Sequence, residues 1–383
     1  MDTVDLFQLS CEECFAGLGC NCLQSEPKQE ELKRFHKALN SYGFVQIVNH
    51  GVNSTIIEEA EKEQRRYFSQ SYDYKMSTCS KDKARRGYSP NLSENFASLI
   101  GVSGSENDSV EKYRIGPLIT DDTKNLEPEY YYTKVGKVHY FPNNIADLET
   151  NFVTVTSYYT EMEKLSKLLI KLITYCAGLP YGSLEQYFNK HTSVLSLNYY
   201  PYIASSNNES KKQRVATHTD VSIFTIVSQF ALLQDKIGSL EVLVRNEEGE
   251  EVYIPVPYTP YALVVNVGDC LQYWSGGLYK SSMHRVVTVD IQQDTVITAD
   301  SGSTVCIEGE EDRNRYSMAY FYSPNYNALL QWPTTTTAAS SSSCSTSDTT
   351  TSSSIVDTAV DYSTWRKEHI KRAMKQLKLT SKP

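Results

Sequence analysis

The sequence predicts a mainly β fold with helical support, either a sandwich or a double-sheet barrel. Helical patterns dominate the first half of the chain. From residue 194 onward, short runs of strand-forming residues alternate with turn signals. The 28 tyrosines among 383 residues also suit a β-rich fold. Because 40% of the residues are hydrophobic, the chain is able to bury a sizeable core as one unit.

The N-terminal elements alternate between helix and strand. Residues 30–42 have one apolar face at helical spacing, and a glycine follows them. A strand over 44–48 comes next. The turn after it contains His50, which has no partner at metal-ligand spacing, so we expect a structural role for this residue. A second helix is predicted over 56–68.

A long helix precedes the strand-rich half. Apolar residues recur at i, i+3, i+4 and i+7 over 158–177, and Gly178 and Pro180 stop the pattern, so we expect a helix packed across the sheet. The strands predicted after it cover 195–200, the segment around His218, the hairpin 240–244 and 252–256, then 262–267, 271–274, the segment around His284, and 316–322.

A cluster of four cysteines lies near the N-terminus, at Cys11, Cys14, Cys20 and Cys22. Four thiolates suffice for a structural zinc site. However, the spacing of the last two is unusual for zinc and no histidine lies nearby, so the pattern favours unpaired thiols in a loop.

Residues 69–144 show no regular pattern but contain several cations. One interpretation is a solvated surface segment. The other is that some of the cations face a substrate, because long loops over a scaffold often determine specificity. The candidate substrate-binding residues are Arg85, Arg86, Tyr88, Lys112 and Arg114.

The C-terminal part contains a linker and a helix. Residues 334–354 are almost entirely Thr, Ser and Ala, a composition that cannot bury a core and predicts disorder. Residues 365–377 form a basic amphipathic pattern. A membrane-surface helix is one interpretation, but the apolar face is short, which favours docking on the core.

The bulk charge bears on partners and location. The formal net charge is −9, so the surface as a whole does not attract nucleic acid or an anionic membrane. No apolar window of transmembrane length occurs, and the acidic start lacks the features of a signal peptide. Nine cysteines without secretory context indicate reduced thiols. We expect a cytoplasmic monomer that acts on a small molecule.

His218 and Asp220 form the most informative local pattern. They are spaced i and i+2 in a segment rich in strand formers, so both side chains leave one face of a strand. A later strand brings His284. Two histidines and one carboxylate on one side of a metal suit non-haem Fe(II) chemistry. Without context, the alternative is a buried histidine with an ordinary structural partner.

Seven segments give that context. Together they resemble the Fe(II)/2-oxoglutarate-dependent dioxygenases of the isopenicillin N synthase-like group, over most of residues 1–330. In chain order they are GFVQIVNHGV (43–52), NYYP (198–201), HTD (218–220), LQD leading into LEV (233–242), VNVGDCLQ (265–272), YKSSMHRV (279–286) and RYS (315–317).

The resemblance implies a double-stranded β-helix (jelly-roll) core that uses Fe(II), with 2-oxoglutarate and O2 as cosubstrates. It implies that His218, Asp220 and His284 bind the iron. It also implies that the residues gripping and lining the 2-oxoglutarate pocket are Arg315, Ser317, Tyr200 and Asn198. An arginine suits this role because its planar fork binds a carboxylate with two hydrogen bonds.

One departure from the family concerns the spacing before Arg315. Thirty-one positions separate it from His284, whereas the family usually has about ten. We interpret residues 290–312 as an inserted surface hairpin. Arg313 is the alternative to Arg315, but only Arg315 has the serine partner at the family spacing. The carboxylate at Asp220 argues against halogenation, because related halogenases have a small residue there.

These observations predict a 2-oxoglutarate-dependent oxygenase that oxidises an unactivated C–H bond of a small, carboxylate-bearing metabolite. Hydroxylation, desaturation and oxidative cyclisation, including kainoid-type ring closure of an N-prenylated amino acid, all fit. The alternatives are an oxidase of the isopenicillin N synthase type that needs no 2-oxoglutarate, and a metal-free jelly-roll binding protein. The sequence predicts a division into four parts. They are an N-terminal region contributing to the substrate pocket (1–144), the catalytic core (145–332), the linker (334–354) and a C-terminal helix region (355–383).

Overall fold

The computed structural model describes residues 1–9, 25–79, 86–99, 101, 106–118, 145–202, 211–230, 233–236, 238–289, 297–298, 304–305, 314–333 and 359–380. Its strands are β1 (Thr3–Asp5), β2 (Phe44–Val48), β3 (Gly87–Ser89), β4 (Glu111–Ile115), β5 (Val194–Tyr200), β6 (Lys211–His218), β7 (Phe224–Gln229), β8 (Leu240–Arg245), β9 (Glu251–Pro255), β10 (Leu263–Val267), β11 (His284–Val289), β12 (Ile297–Thr298), β13 (Thr304–Val305) and β14 (Arg315–Tyr322). Its helices are α1 (Leu6–Leu9), α2 (Glu26–Ser41), α3 (Ser54–Phe68), α4 (Tyr72–Ser77), α5 (Phe96–Leu99), α6 (Ile145–Asn151), α7 (Val153–Cys176), α8 (Leu233–Lys236), α9 (Asp269–Trp274) and α10 (Tyr362–Thr380).

Two sheets form the β core. The larger has the strand order β1-β2-β10-β7-β14-β5-β4-β3, and the smaller has the order β6-β11-β8-β9. In the smaller sheet β11 runs antiparallel to β6, which sets His284 opposite His218. In the larger sheet β14 runs antiparallel to β5, which sets Arg315 opposite Tyr200. The predicted mainly β, double-sheet architecture is confirmed.

The long helix α7 packs against the larger sheet, as predicted. Its apolar face is buried, and two adjacent tyrosines on it are fully buried as well. A buried phenol needs a hydrogen-bond partner. The Tyr158 hydroxyl lies 2.6 Å from the Ser228 hydroxyl on β7, and the Tyr159 hydroxyl donates to the Ser193 carbonyl at 3.2 Å. These polar contacts fix the helix relative to the strands that surround the site.

The N-terminal region contributes four strands to the larger sheet, and of these the sequence predicted only β2, whereas β1, β3 and β4 were not predicted. β3 pairs with β4, and β4 pairs with β5, where Lys112 lies opposite Asn198. Three of the five β4 residues are charged, which hides a strand from periodicity arguments, yet Lys112 and Tyr113 are both buried. The interpretation of this stretch as a solvated surface is therefore wrong for β3 and β4. The boundary at residue 144 stays a prediction.

A second correction concerns residues 271–274, which are not a strand. They belong to α9, which begins after Gly268 in an extended conformation. The buried residues Cys270, Leu271 and Trp274 are spaced i, i+1 and i+4, the pattern of one helical face. A Cβ at Gly268 would lie 2.0 Å from the Ser222 carbonyl oxygen, so only glycine lets the chain turn here.

The insertion before Arg315 contains a small hairpin. β12 and β13 pair antiparallel, with Ile297 opposite Val305, which agrees with the predicted inserted hairpin. Four other predictions fall on residues outside the described ranges: the cysteine cluster at 11–22, the substrate candidate Arg85, the linker at 334–354, and the alternative arginine at position 313.

The C-terminal helix α10 docks on the core. Tyr362 donates its backbone N–H to the Ala328 carbonyl at 2.8 Å, and Tyr362, Trp365 and Ala373 are buried. The docked arrangement agrees with the favoured interpretation of this basic amphipathic pattern. Within the described ranges, every helix is too short or too polar to cross a bilayer.

Candidate metal centre and cosubstrate pocket

Three buried side chains converge where the smaller sheet meets the turn after β6. His218 ends β6, His284 begins β11, and their ring centroids are 4.3 Å apart. The ligand-type atoms of these histidines and of Asp220 all lie within 4.8 Å of one another. Among the described residues, this is the cluster of histidine and acidic side chains able to hold a metal ion. The predicted ligand set is thus brought together.

The backbone selects the tautomer of each histidine. Nδ1 of His218 lies 2.8 Å from the Ala216 carbonyl, and Nδ1 of His284 lies 3.1 Å from the Ser282 carbonyl. A carbonyl oxygen only accepts, so both Nδ1 atoms donate and both Nε2 atoms keep a lone pair for a metal. Burial, followed by the neighbouring His284, lowers the pKa of His218 to about 4. The neutral imidazole that a metal requires is therefore the resting form.

Asp220 reaches the site by a different route from the one predicted. β6 ends at His218, so Asp220 lies in the following turn rather than beside His218 on a strand face. Its Oδ2 accepts hydrogen bonds from Thr225 at 2.6 Å and from Asn266 at 2.7 Å, and its backbone carbonyl accepts from the Asp269 N–H at 2.7 Å. These three contacts hold the carboxylate toward the imidazoles.

The electrostatics of Asp220 favour its ionised form. Burial raises the pKa of this carboxyl, but the two histidines and the hydrogen bonds from Thr225 and Asn266 outweigh burial, so the pKa falls below its ordinary value. Two neutral imidazoles and one carboxylate match the donors that non-haem Fe(II) takes, with other positions left for cosubstrates. Bound iron there supplies O2 activation coupled to oxidative decarboxylation of 2-oxoglutarate.

Arg315 lies in the cavity that His218, Asp220 and His284, the three candidate ligands, also line. Its side chain is 4% exposed, and its guanidinium lies 4.9 Å from the Tyr200 ring centroid. Nε donates to Asp235 at 2.8 Å, whereas Nη1 is buried without a hydrogen-bond partner in the structure. A buried unsatisfied guanidinium N–H is costly. A ligand carboxylate in the cavity would satisfy it, which fits the predicted 2-oxoglutarate site.

Ser317 and Asn198 line the same cavity beside Arg315. The Asn198 amide donates to the Ser317 hydroxyl at 3.3 Å, and the two residues are opposite one another across β14 and β5. Tyr200 also lines the cavity. The structure therefore brings together all four residues that the sequence associates with the cosubstrate.

Sequence reasoning gave no role to Asp235, which is fully buried and bound to Arg315. The second oxygen of Asp235 accepts the Phe230 N–H at 3.0 Å. Burial raises the pKa of Asp235 to about 6, against the opposing effect of Arg315. The signal was present, since this aspartate lies within one of the seven matching segments. We infer that it orients the guanidinium fork.

Lys112 is the member of the predicted substrate set that lines the cavity. It is 4% exposed, and its ammonium lies 3.8 Å from the Phe96 ring centroid. The Phe96 ring in turn packs against His218, with centroids 5.4 Å apart. Glu94 accepts a hydrogen bond from Lys112 at 3.2 Å. Burial, followed by the nearby Arg114, lowers the pKa of Lys112 to about 8.

The other predicted substrate residues lie elsewhere. Arg114 makes a bidentate pair with Glu94, with the Nη1–Oε1 distance at 2.7 Å. The Tyr88 hydroxyl donates to Glu111 at 2.7 Å, and Arg86 lies against Gly116. Arg85 is outside the described residues. Glu94 and Phe96, which hold Lys112 in place, were not singled out from the sequence because neither belongs to a recognisable motif.

Comparisons with known proteins agree with this site. The model of the 2OG-Fe(II) oxygenase superfamily matches residues 191–324, and the model described as non-haem dioxygenase in morphine synthesis N-terminal matches residues 16–136. Gibberellin 2-beta-dioxygenase 8 of Arabidopsis thaliana is 25% identical over 309 residues, covering 80% of this chain and 72% of the relative. The 2-oxoglutarate-dependent dioxygenase htyE of Aspergillus rugulosus is 29% identical over 304 residues, covering 77% and 82%.

Solved structures share the fold. A Neurospora crassa protein in complex with alpha-KG and thymine aligns with a TM-score of 0.64 at 21% identity, covering 98% of this chain and 96% of that one. The rice dioxygenase for auxin oxidation aligns with a TM-score of 0.58 at 19% identity, covering 97% and 95%. The oxygenase model covers strands β5 to β14 of the β core and all three members of the His-Asp-His cluster, and the second model covers most of the N-terminal region. Together the two models match more than half of the chain, which belongs to the Fe(II)/2-oxoglutarate-dependent dioxygenase family.

Proposed function

We propose that the protein oxidises an unactivated C–H bond of a small metabolite that bears a carboxylate, with Lys112 as the group that receives this carboxylate. The observation behind the proposal is the position of the Lys112 ammonium. It lines the cavity of the metal ligands and is separated from His218 by a single aromatic ring, Phe96. A substrate held there has its carbon atoms near the metal.

The hydrogen-bond capacity of Lys112 supports this role. An ammonium has three N–H donors. Among the described residues, Glu94 is the hydrogen-bond partner of Lys112, and the shorter contacts of Glu94 go to Arg114. Lys112 therefore keeps donors for a ligand while its charge stays partly compensated. A substrate carboxylate would add an anion beside a lysine whose ion-pair partner Glu94 is shared with Arg114.

In this proposal the cosubstrate binds to residues other than Lys112. Arg315, Ser317, Tyr200 and Asn198 take 2-oxoglutarate, with the distal carboxylate on the guanidinium. The proposed outcome is hydroxylation, desaturation or cyclisation, and kainoid-type closure of an N-prenylated amino acid is one reaction of this class. Placement and charge are the protein's contribution, since iron supplies the oxidising chemistry.

The test is a substrate screen read as succinate release, in which each candidate carboxylate is paired with its primary amide. We expect turnover of carboxylates and at least a tenfold lower kcat/KM for the amides. Lys112→Met should raise the KM of the carboxylate and leave that of the amide unchanged. Lys75→Met is the matched control, because Lys75 is a buried lysine paired with Glu111 at 2.7 Å and does not belong to the cavity lining.

Equal turnover of the carboxylate and amide members would contradict the proposed substrate class. So would a Lys112→Met enzyme whose KM for the carboxylate equals that of the wild type. Either result would leave the assignment to the oxygenase family untouched, because succinate release reports the cosubstrate chemistry separately.

A further inference from the structure

Asp269 connects three segments around the metal centre. Its carboxylate accepts hydrogen bonds from the Thr219 hydroxyl at 3.0 Å and from the Ser281 hydroxyl at 2.7 Å. Thr219 lies between the ligands His218 and Asp220, and Ser281 is three residues before His284. Asp269 thus fixes both ligand-bearing segments relative to each other, without itself being a ligand.

The third partner of Asp269 comes from the C-terminal helix. Nε2 of His369, on α10, lies 2.9 Å from Oδ2 of Asp269, so the imidazole donates to the carboxylate. The His369 ring stacks on the Trp365 ring with centroids 5.0 Å apart, and Trp365 packs against Tyr273 of α9. Since Trp365 is buried, His369 is presented to Asp269 from a fixed position rather than from a freely moving side chain.

The same helix has a second contact near the site. α10 packs against α5, the short helix that begins with Phe96. Phe96 contacts the His218 ring. The helix therefore contacts two segments that adjoin the metal centre, α5 and the Asp269 region, although it is distant in sequence from every ligand.

A cavity of about 850 Å³ lies between α10 and the ligand segments, lined in part by Thr219, Met283, Lys280 and Arg372. Because water has access to a cavity of this size, water is able to replace the hydrogen bond of an absent imidazole. Loss of His369 should then change the position of Asp269 and of the ligand-bearing segments, but the core should stay folded.

We propose that His369 is a positioning residue for the iron centre: through Asp269 it couples the docking of the C-terminal helix to the arrangement of the metal ligands. The inference depends on the metal centre and not on the identity of the substrate. Residues in the outer shell of a metal site typically change metal affinity about 10- to 100-fold. His369 is one contact further from the ligands than Asp269, so we expect about a 3- to 10-fold effect.

The test uses the full-length apoprotein and Mn(II), with free Mn(II) measured by its electron paramagnetic resonance signal. His369→Ala should raise the Kd by about 3- to 10-fold. His369→Gln, which keeps a donor near the position of Nε2, should restore the Kd to within about twofold of the wild type. Lys375→Ala, on an exposed position of the same helix, is the control and should not change the Kd.

Two further readouts separate positioning from a purely structural role. The absorption spectrum of the Co(II)-loaded protein should change in His369→Ala and return in His369→Gln, because it reports ligand geometry. In a double-mutant cycle, Thr219→Val and His369→Ala should give non-additive effects on Mn(II) affinity. Wild-type Kd and Co(II) spectrum in His369→Ala would overturn the proposal, and so would additive effects in the cycle.

Discussion

Replacing Arg315 should have two effects that the structure allows to be separated. The first is on cosubstrate binding. Arg315→Ala would leave the distal carboxylate of 2-oxoglutarate without its partner in a desolvated site, at a cost of about 2–5 kcal/mol. This corresponds to roughly a 30- to several-thousand-fold loss of affinity. Arg315→Lys keeps the charge but loses the fork, so it should also raise the 2-oxoglutarate KM.

The second effect is on folding. Asp235 is fully buried and bonded to Arg315, so Arg315→Ala leaves an unpaired buried carboxylate. Breaking a buried pair typically costs about 3–5 kcal/mol. Burial already raises the pKa of Asp235 to about 6, above its ordinary 3.8, and loss of Arg315 should raise it further. Ionising a carboxyl whose folded-state pKa is raised costs stability, and this cost appears as pH rises.

The stability deficit of Arg315→Ala relative to the wild type should therefore be smallest near pH 5 and should grow between about pH 6 and 8. Adding Asp235→Asn to Arg315→Ala removes the unpaired charge, so it should recover most of the lost stability but none of the lost 2-oxoglutarate affinity. Urea unfolding at several pH values and 2-oxoglutarate KM measure the two effects.

The control for this series is Arg313→Ala, which should change the 2-oxoglutarate KM by less than about threefold, because the serine partner at the family spacing assigns the cosubstrate to Arg315. A large rise of the 2-oxoglutarate KM in Arg313→Ala, with a small rise in Arg315→Ala, would place the cosubstrate arginine two residues earlier. The explanation of the Asp235–Arg315 pair would be refuted if the stability deficit of Arg315→Ala did not depend on pH, or if adding Asp235→Asn did not reduce it.

Three further predictions concern the ligands, Lys112 and the linker. His218→Ala, Asp220→Ala and His284→Ala should each abolish turnover while circular dichroism shows a fold close to the wild type; wild-type activity in one of them would remove that residue from the site. The pKa of Lys112 is lowered to about 8, so Lys112 loses its charge as pH rises through 8, and the KM of a carboxylate substrate should rise over the same range. Lys112→Arg should make this KM less dependent on pH. A wild-type KM that does not change with pH would count against the role of Lys112. Replacing 334–354 with a short Gly/Ser bridge should leave Fe(II) affinity unchanged, and a large loss would show that the segment is part of the site.

The candidate metal centre was predictable because its residues belong to short motifs that occur in the order of the family. His218, Asp220 and His284 were identified from the sequence, and the structure brings them together. The local reasoning for Asp220 was nevertheless wrong, because strand alternation does not place it. Side-chain and backbone bonds from residues distant in sequence, including Asn266 and Asp269, hold it in position. Such contacts depend on the tertiary fold and leave no local pattern.

The surroundings of the site were less predictable for the same reason. β4 was hidden because charged residues occupy most of its positions, and the burial of Lys112 involves contacts with Glu94 and Phe96 that no local pattern predicts. The α9 segment was mistaken for a strand because a short apolar run fits both periods. Asp235 lay within a matching segment, but its bond to Arg315 spans 80 positions and was visible only in the structure.

The stoichiometry of turnover with a carboxylate substrate tests most directly whether the protein is a 2-oxoglutarate-dependent oxygenase. The protein should require Fe(II), 2-oxoglutarate and O2, and it should form one succinate for each oxidised product molecule. The ratio is measured by quantifying succinate and product in the same reaction. Product formed with ascorbate and O2 alone, without succinate, would contradict the account and would establish an oxidase of the isopenicillin N synthase type.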